Sequence, residues 1–171
     1  MPTEHGKILP VHCYLTKTID GARLVSGNDG WEAPDTTDIL AIHDYAYDSL
    51  LFQKKYRPDN YDAVYPQSRK LIAQGCVYAG QPVLLTEFGG IAMRGDISDG
   101  NWGYNVSAET EEEFLLRYRN LMDGTYSFEQ FQGFCYTQLT DVQQEVNGLL
   151  YPDRTPKFDM EKLKKITEHK E

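Results

Sequence analysis

The chain has 171 residues, 40% apolar and 25% charged, with a formal net charge of −9. That length supports one domain with its own core, since domains commonly run to about 100–200 residues. The acidity argues against nucleic acid as a partner, because phosphates need a basic face, and against anionic membrane surfaces. Cys13, Cys76 and Cys135 are odd in number and lack CxxC spacing, which argues against a disulfide framework and against a zinc knuckle.

The first stretch, residues 1–14, reads as an irregular start with no apolar core of signal-peptide length. With no run of about 18 apolar residues, the expectation is a soluble protein, cytoplasmic rather than exported. "RLVSGNDGW" (Arg23 to Trp31) reads as a short strand feeding a polar loop. "DILAIHDY" (Asp38 to Tyr45) reads as a second strand ending in His43, Asp44 and Tyr45. Between Asp62 and Gly80, the recurrence of Val64, Leu71, Ile72, Cys76 and Val77 predicts a helix, with Gly80 as its stop. "PVLLTE" is the third strand. Ser107 is the expected cap of the next helix, whose first turn carries Glu109, Glu111 and Glu112 against the positive end of the dipole. Its apolar stripe is Phe114, Leu115, Tyr118, Leu121 and Met122. "GFCYTQL" (Gly133 to Leu139) is the fourth strand, and after Pro156 a last amphipathic helix carries Met160, Leu163 and Ile166.

Strands that are nearly all apolar and separated by helices indicate a parallel α/β sheet buried on both faces. No repeat or linker interrupts residues 1–171, which read as a single domain. Every expected strand ends in polar groups: Asn28 and Asp29, His43 to Tyr45, Thr86 and Glu87, Gln138 with Asp141. In parallel α/β folds ligands bind outside the carboxyl ends of strands. Taken singly each of these residues reads as a strand-end cap; taken together they suggest a shared pocket.

"LLTEFGG", "YTQLTDVQQEVNGLLYPDRTPK", "NDGWE" and "IHDY" stand in the same order and at the same spacings as matching segments of a known family. From about Leu15 onward the chain resembles the C-terminal half of the catalytic barrel of glycoside hydrolase family 2, which holds β-galactosidases, β-glucuronidases and β-mannosidases. The resemblance implies a partial (β/α)8 barrel with strands matching the fifth to the eighth. It also implies a retaining hydrolysis with Glu87 as nucleophile. Tyr45 would donate a hydrogen bond to that carboxylate. His43 is expected to contact a sugar hydroxyl or to be a strand-end histidine satisfied by backbone. Asn28, Asp29, Trp102, Tyr136 and Asp141 complete the expected sugar contacts, with Trp102 either stacking on the sugar or plugging its loop. Trp31 has the same two readings. Glu145 reads as a solvated loop acid or a grip on hydroxyls. No cofactor and no metal are expected, since no His, Cys, Asp or Glu cluster has ligand spacing.

The sequence departs from the family at the acid/base, which is the Glu of an Asn-Glu pair at the end of the fourth strand. Here Asn28 is followed by Asp, and the other asparagines by Tyr, Trp, Val, Leu and Gly. The expectation is a fragment of such an enzyme, inactive alone, that needs the N-terminal half of the barrel or self-association to cover its strand edges; the alternative is a non-catalytic carbohydrate-binding or assembly-partner protein derived from the barrel. Glucuronidases of the family carry Asn-x-Lys where this chain has Glu145-Val146-Asn147. Without that lysine a neutral sugar, of β-galactoside type, is expected.

Overall fold

The computed structural model describes residues 4–98 and 100–170. They divide into two compact units. The first comprises Met1–Asp44, Gln53–Glu87 and Glu129–Phe134; the second comprises Tyr45–Phe52, Phe88–Phe128 and Cys135–Glu171.

The first unit is built on a parallel sheet. Strand β1 (Leu40–Asp44), β2 (Val83–Gly89) and β3 (Phe131–Thr137) lie in the order β1-β2-β3. All five residues of β1 are buried, as a run of apolar residues covered on both faces requires. Leu40, Ile42, Leu85, Tyr56, Tyr61 and Leu71 have essentially no exposed surface, each such side chain contributing about 1.5–3 kcal/mol of burial. β3 is different, with every residue half-buried or exposed. Gln132 and Cys135 are exposed and the rest half-buried, so it is not a fully covered strand.

Helix α1 (Glu4–Ile19) precedes the sheet, and a short α2 (Leu50–Lys55) follows β1. The second unit holds α3 (Glu111–Ser127) and α4 (Met160–Thr167). Phe114 of α3 stacks on Phe158 with ring centroids 3.8 Å apart, just before α4. Leu163 and Ile166 of α4 are buried as the helical spacing predicts, whereas Met160 stays 40% exposed. The expected stripe of α3 is buried at Phe114, Tyr118, Leu121 and Met122, and half-buried at Leu115. No helix among the described residues is long and apolar enough to cross a membrane.

Four expectations are corrected. Residues 4–14, read as irregular, belong to α1 despite Pro10 inside it. The helix turns Cys13 inward to 1% exposure while Ile8, Val11, Tyr14, Leu15 and Ile19 stand 51–80% exposed on the opposite side. Residues 23–31 form no strand. The backbone of Val25 is satisfied by Asp38 instead, its N–H donating to Asp38 Oδ2 at 2.8 Å and its carbonyl accepting from the Asp38 N–H at 2.8 Å. The helix expected between Asp62 and Gly80 is replaced by two 3-10 turns, Pro58–Ala63 and Pro66–Ser68, and irregular chain. A proline opens each turn, and Gln67 and Ser68 adopt positive φ of 44° and 63°, so the i→i−4 ladder cannot form. The cap of α3 is Thr110 rather than Ser107, its hydroxyl accepting from the Glu113 N–H at 3.2 Å while Glu113 Oε2 accepts from the Glu109 N–H at 2.7 Å. Together the two bonds tie the cap and the residue before it to the first turn of α3.

Candidate active site

Glu87 sits two residues before the end of β2, its side chain 38% exposed. The strand places it beside the end of β1, where His43 is 9% exposed. His43 Nδ1 lies 3.1 Å from Glu87 Oε2, and Nε2 lies 3.3 Å from Asp29 Oδ1. One imidazole therefore stands between two carboxylates. The hydroxyl of Thr86, adjacent to Glu87, donates to Asp29 Oδ1 at 2.6 Å.

The loop from Asn28 to Trp31 closes on this imidazole. Gly30 has φ of +88°, and a β-carbon there would stand 2.5 Å from His43 Cγ. Only glycine adopts that backbone without strain and also leaves room for the ring. The Asn28 amide donates to the Trp31 carbonyl at 2.7 Å, tying the loop to itself. The Trp31 ring meets His43 edge-on at 5.1 Å, and the Arg69 guanidinium lies 4.9 Å over the Trp31 ring. Asp29 is held below the usual carboxylate range, first by its contact with His43, against the opposing effect of desolvation, and then by Thr86.

Asp44, next along β1, takes the other role a strand-end acid can have. It is 2% exposed, accepts from the Tyr56 hydroxyl at 2.6 Å and pairs with Lys55 at 2.9 Å. It anchors the chain leaving β1. Burial, and then the Asp44 charge, push the Tyr56 phenol far above its usual range.

Tyr45, Trp102, Tyr136 and Asp141 belong to the second unit. There Tyr45 is buried and stacks on Tyr104 with ring centroids 3.6 Å apart and planes at 3°, and Trp102 meets the same Tyr104 edge-on at 5.1 Å. The Asn105 amide donates to the Tyr45 carbonyl at 2.8 Å and to the Gly89 carbonyl at 3.0 Å. Trp102 stays 43% exposed, and its backbone pairs with the loop that carries Glu145 through the Gln144 carbonyl and the Val146 N–H. The Tyr136 hydroxyl accepts from the Ile91 N–H at 3.3 Å, and burial holds that phenol above its usual range. Its ring occupies the space a β-carbon on Gly89 would need, at 2.1 Å. Asp141 is 7% exposed, accepts from the Gly148 N–H at 2.8 Å, and lies 2.8 Å from Lys157 Nζ, which is also 2.7 Å from Asp96.

Two hollows are lined by other residues. One, of about 320 Å³, is bounded in the second unit by Tyr47, Ile91, Asn105, Val106, Arg117 and Leu121. The other, of about 440 Å³, lies in the first unit at the start of β2 and β3, the end remote from Glu87, and includes Tyr61, Tyr78 and Gln132. No group of three or more His, Cys, Asp or Glu among the described residues is arranged to hold a metal ion.

The fold is similar to that of a β-galacturonidase of glycoside hydrolase family 2 from Eisenbergiella tayi, bound to galacturonate. That structure matches 98% of this chain and 31% of its own, with a TM-score of 0.66 and 17% identity. A structure of a β-galacturonidase of the same family and organism, bound to glycerol, matches 98% of this chain and 31% of its own, with a TM-score of 0.63 and 20% identity. The chain thus spans about a third of the length of these solved structures, and at such identities the likeness is one of fold. No protein-family model matches the sequence, and no curated protein matches it.

The contact of Asp29 with His43 is what sequence reasoning missed. Asp29 was expected to face a sugar and His43 either to do so or to be satisfied by backbone; the structure sets the two side by side. The available signal was the "NDG" turn, since a glycine after two polar residues often marks a close approach of backbone to something else.

Proposed function

We propose that this chain is the nucleophile-bearing part of a retaining β-glycosidase. The observation that carries the reading is Glu87 near the carboxyl end of a parallel strand, half-exposed, with a buried imidazole nitrogen 3.1 Å from its carboxylate. In such a reaction a Glu87 oxygen bonds the anomeric carbon as the glycosidic bond breaks, and an acid protonates the departing oxygen. Water, deprotonated by the same acid in its conjugate form, then displaces Glu87 and restores the sugar's configuration. A nucleophile has to be ionised, and a nearby donor favours that form.

The acid would come from a polypeptide supplying the Asn-Glu pair that this sequence lacks, with its carboxyl group about 5–5.5 Å from Glu87. Alone the chain would forgo general-acid assistance, worth about 10²–10⁴-fold. The exposed apolar side of α1 suits such a partner, or a second copy.

For the sugar, a neutral β-galactoside is favoured. Of the two cations in the stretch after Gly148, Arg154 is exposed, and Lys157 has a side chain only 2% exposed and is already paired with Asp96 and Asp141. The competing reading is a galacturonide, which takes its support from the activity and ligand named for the solved structures of similar fold.

The test is to produce the chain together with a polypeptide carrying the missing half of the barrel and to add a 2-fluoro-β-glycoside that traps the covalent intermediate. Peptide mass spectrometry should find the sugar on Glu87. Label on another carboxylate, with E87Q fully active, would overturn the reading. A panel of aryl β-galactoside, β-galacturonide, β-glucuronide and β-mannoside decides the sugar.

A further inference from the structure

An ammonium has three N–H donors and no acceptor. In the buried Lys157 side chain three acceptors meet them: Asp96 Oδ2 at 2.7 Å, Asp141 Oδ2 at 2.8 Å and the Val146 carbonyl at 3.2 Å. These acceptors lie on separate stretches of the second unit, and two of them lead to Trp102. Val146 donates its own N–H to the Trp102 carbonyl at 3.0 Å, and the Trp102 N–H donates to the Gln144 carbonyl at 2.8 Å. Asp96 accepts on its backbone carbonyl from the side-chain amide of Asn101 at 3.2 Å, one residue before Trp102. The backbone at Trp102 is thus reached from one ammonium by two short routes. The indole rests edge-on against Tyr104 at 5.1 Å, and the residue keeps 43% of its surface exposed.

We propose that Lys157 is a positioning residue for Trp102: it fixes the backbone of that residue from two directions, so that the exposed part of the indole is presented to the sugar as a flat apolar surface. This rests on the glycosidase reading, with Trp102 as one of its sugar contacts. A half-exposed side chain on a loop has freedom to lose when a ligand stacks on it, and ordering it at that moment weakens binding. Fixing its backbone beforehand removes part of that cost. The shape of the cation suits the task. Three acceptors from three separate stretches match the compact ammonium of lysine, whereas a guanidinium is a planar fork.

The test uses the full chain labelled with 5-fluorotryptophan and reads its fluorine NMR spectrum. Trp31 and Trp102 are the tryptophans of the chain, and the resonance of Trp102 is assigned by its loss in W102F. K157M should move that resonance toward the position of the free amino acid while the resonance of Trp31 stays. D96A, which leaves Lys157 paired with Asp141, should move it the same way by less, and it decides the matter if K157M does not fold. D96N keeps an acceptor oxygen and should leave it near the wild-type position. A Trp102 resonance unmoved in the folded variants, or one that moves together with that of Trp31, overturns the proposal. In the complex produced for the trapping experiment, D96A should raise KM about 2–10-fold, the range an aromatic contact is worth, with kcat unchanged. A fall in kcat at constant KM also overturns the proposal. Resonances as expected with no sugar on Glu87 in the trapping experiment overturn the glycosidase reading instead.

Discussion

A β-carbon on Gly30 would stand 2.5 Å from Cγ of His43, so the 28–31 loop reaches the imidazole only because residue 30 has no side chain. The φ of +88° compounds the demand. Gly30→Ala is expected to cost about 1–3 kcal/mol, read as a lower denaturant midpoint. It should also shift the ring resonances of His43, while an alanine at Gly80, where a β-carbon meets nothing within 4 Å, leaves them in place.

Lys157 provides the second test. Its ammonium contacts Asp96 Oδ2 at 2.7 Å, Asp141 Oδ2 at 2.8 Å and the Val146 carbonyl at 3.2 Å. Lys157→Met removes the cation and leaves two acids facing one another in a mostly buried place. The expected loss is about 3–5 kcal/mol, checked by chemical denaturation. The double variant K157M/D141N should recover part of it, because one of the two uncompensated charges is then gone.

Tyr61 ties stability to high pH. It is 1% exposed, its hydroxyl is buried without a hydrogen-bond partner among the described residues, and burial, with Tyr78 second, pushes the phenol up to about 12. The folded value lies above the ordinary value near 10, so the neutral form is the one the fold favours. Its contribution is fully present below pH 10 and is lost as pH rises from about 10 to about 12. Thermal unfolding across that window should show stability falling in wild type and falling less in Tyr61→Phe. At neutral pH the same variant should be as stable as wild type or more stable by up to about 1 kcal/mol, because it removes an unsatisfied buried hydroxyl.

The outward side of α1 predicts a change in association without a change in folding. Ile8, Val11 and Leu15 are 51–58% exposed. The triple variant I8Q/V11Q/L15Q should unfold within about 0.5 kcal/mol of wild type per site. Sedimentation of wild type should show concentration-dependent self-association that the variant lacks. Equal behaviour of the two would remove α1 as an association surface.

How far each feature was legible follows from the range of the interactions behind it. Leu40–Asp44 and Val83–Gly89 are runs of apolar residues between turn formers, and they became strands close to where they were expected. The stripe of α3 and the pair Leu163 and Ile166 were legible for the same reason: one side of a helix is written into consecutive residues. Val25 failed as a strand because its backbone partner is the Asp38 carboxylate, a contact that no local pattern announces. The 62–80 stretch failed because apolar spacing was given more weight than Pro66, although a proline removes a ladder hydrogen bond whatever the spacing around it. Residues 4–14 were read as irregular, and α1 continues through Pro10.

The sequence by itself determined where carboxylates and aromatics fall relative to strand ends, and so marked Glu87, His43 and Asp29 as three separate candidates. Pairing them was left to the tertiary structure. Alternation along a strand says which side a side chain takes, but not which residue from a distant segment arrives there. The sheet brought β2 alongside β1 and set Glu87 against Nδ1 of His43. The turn at Gly30, possible only without a β-carbon, brought Asp29 to Nε2. Three polar residues became neighbours because the chain closed around one ring, with a carboxylate oxygen near each of its nitrogens.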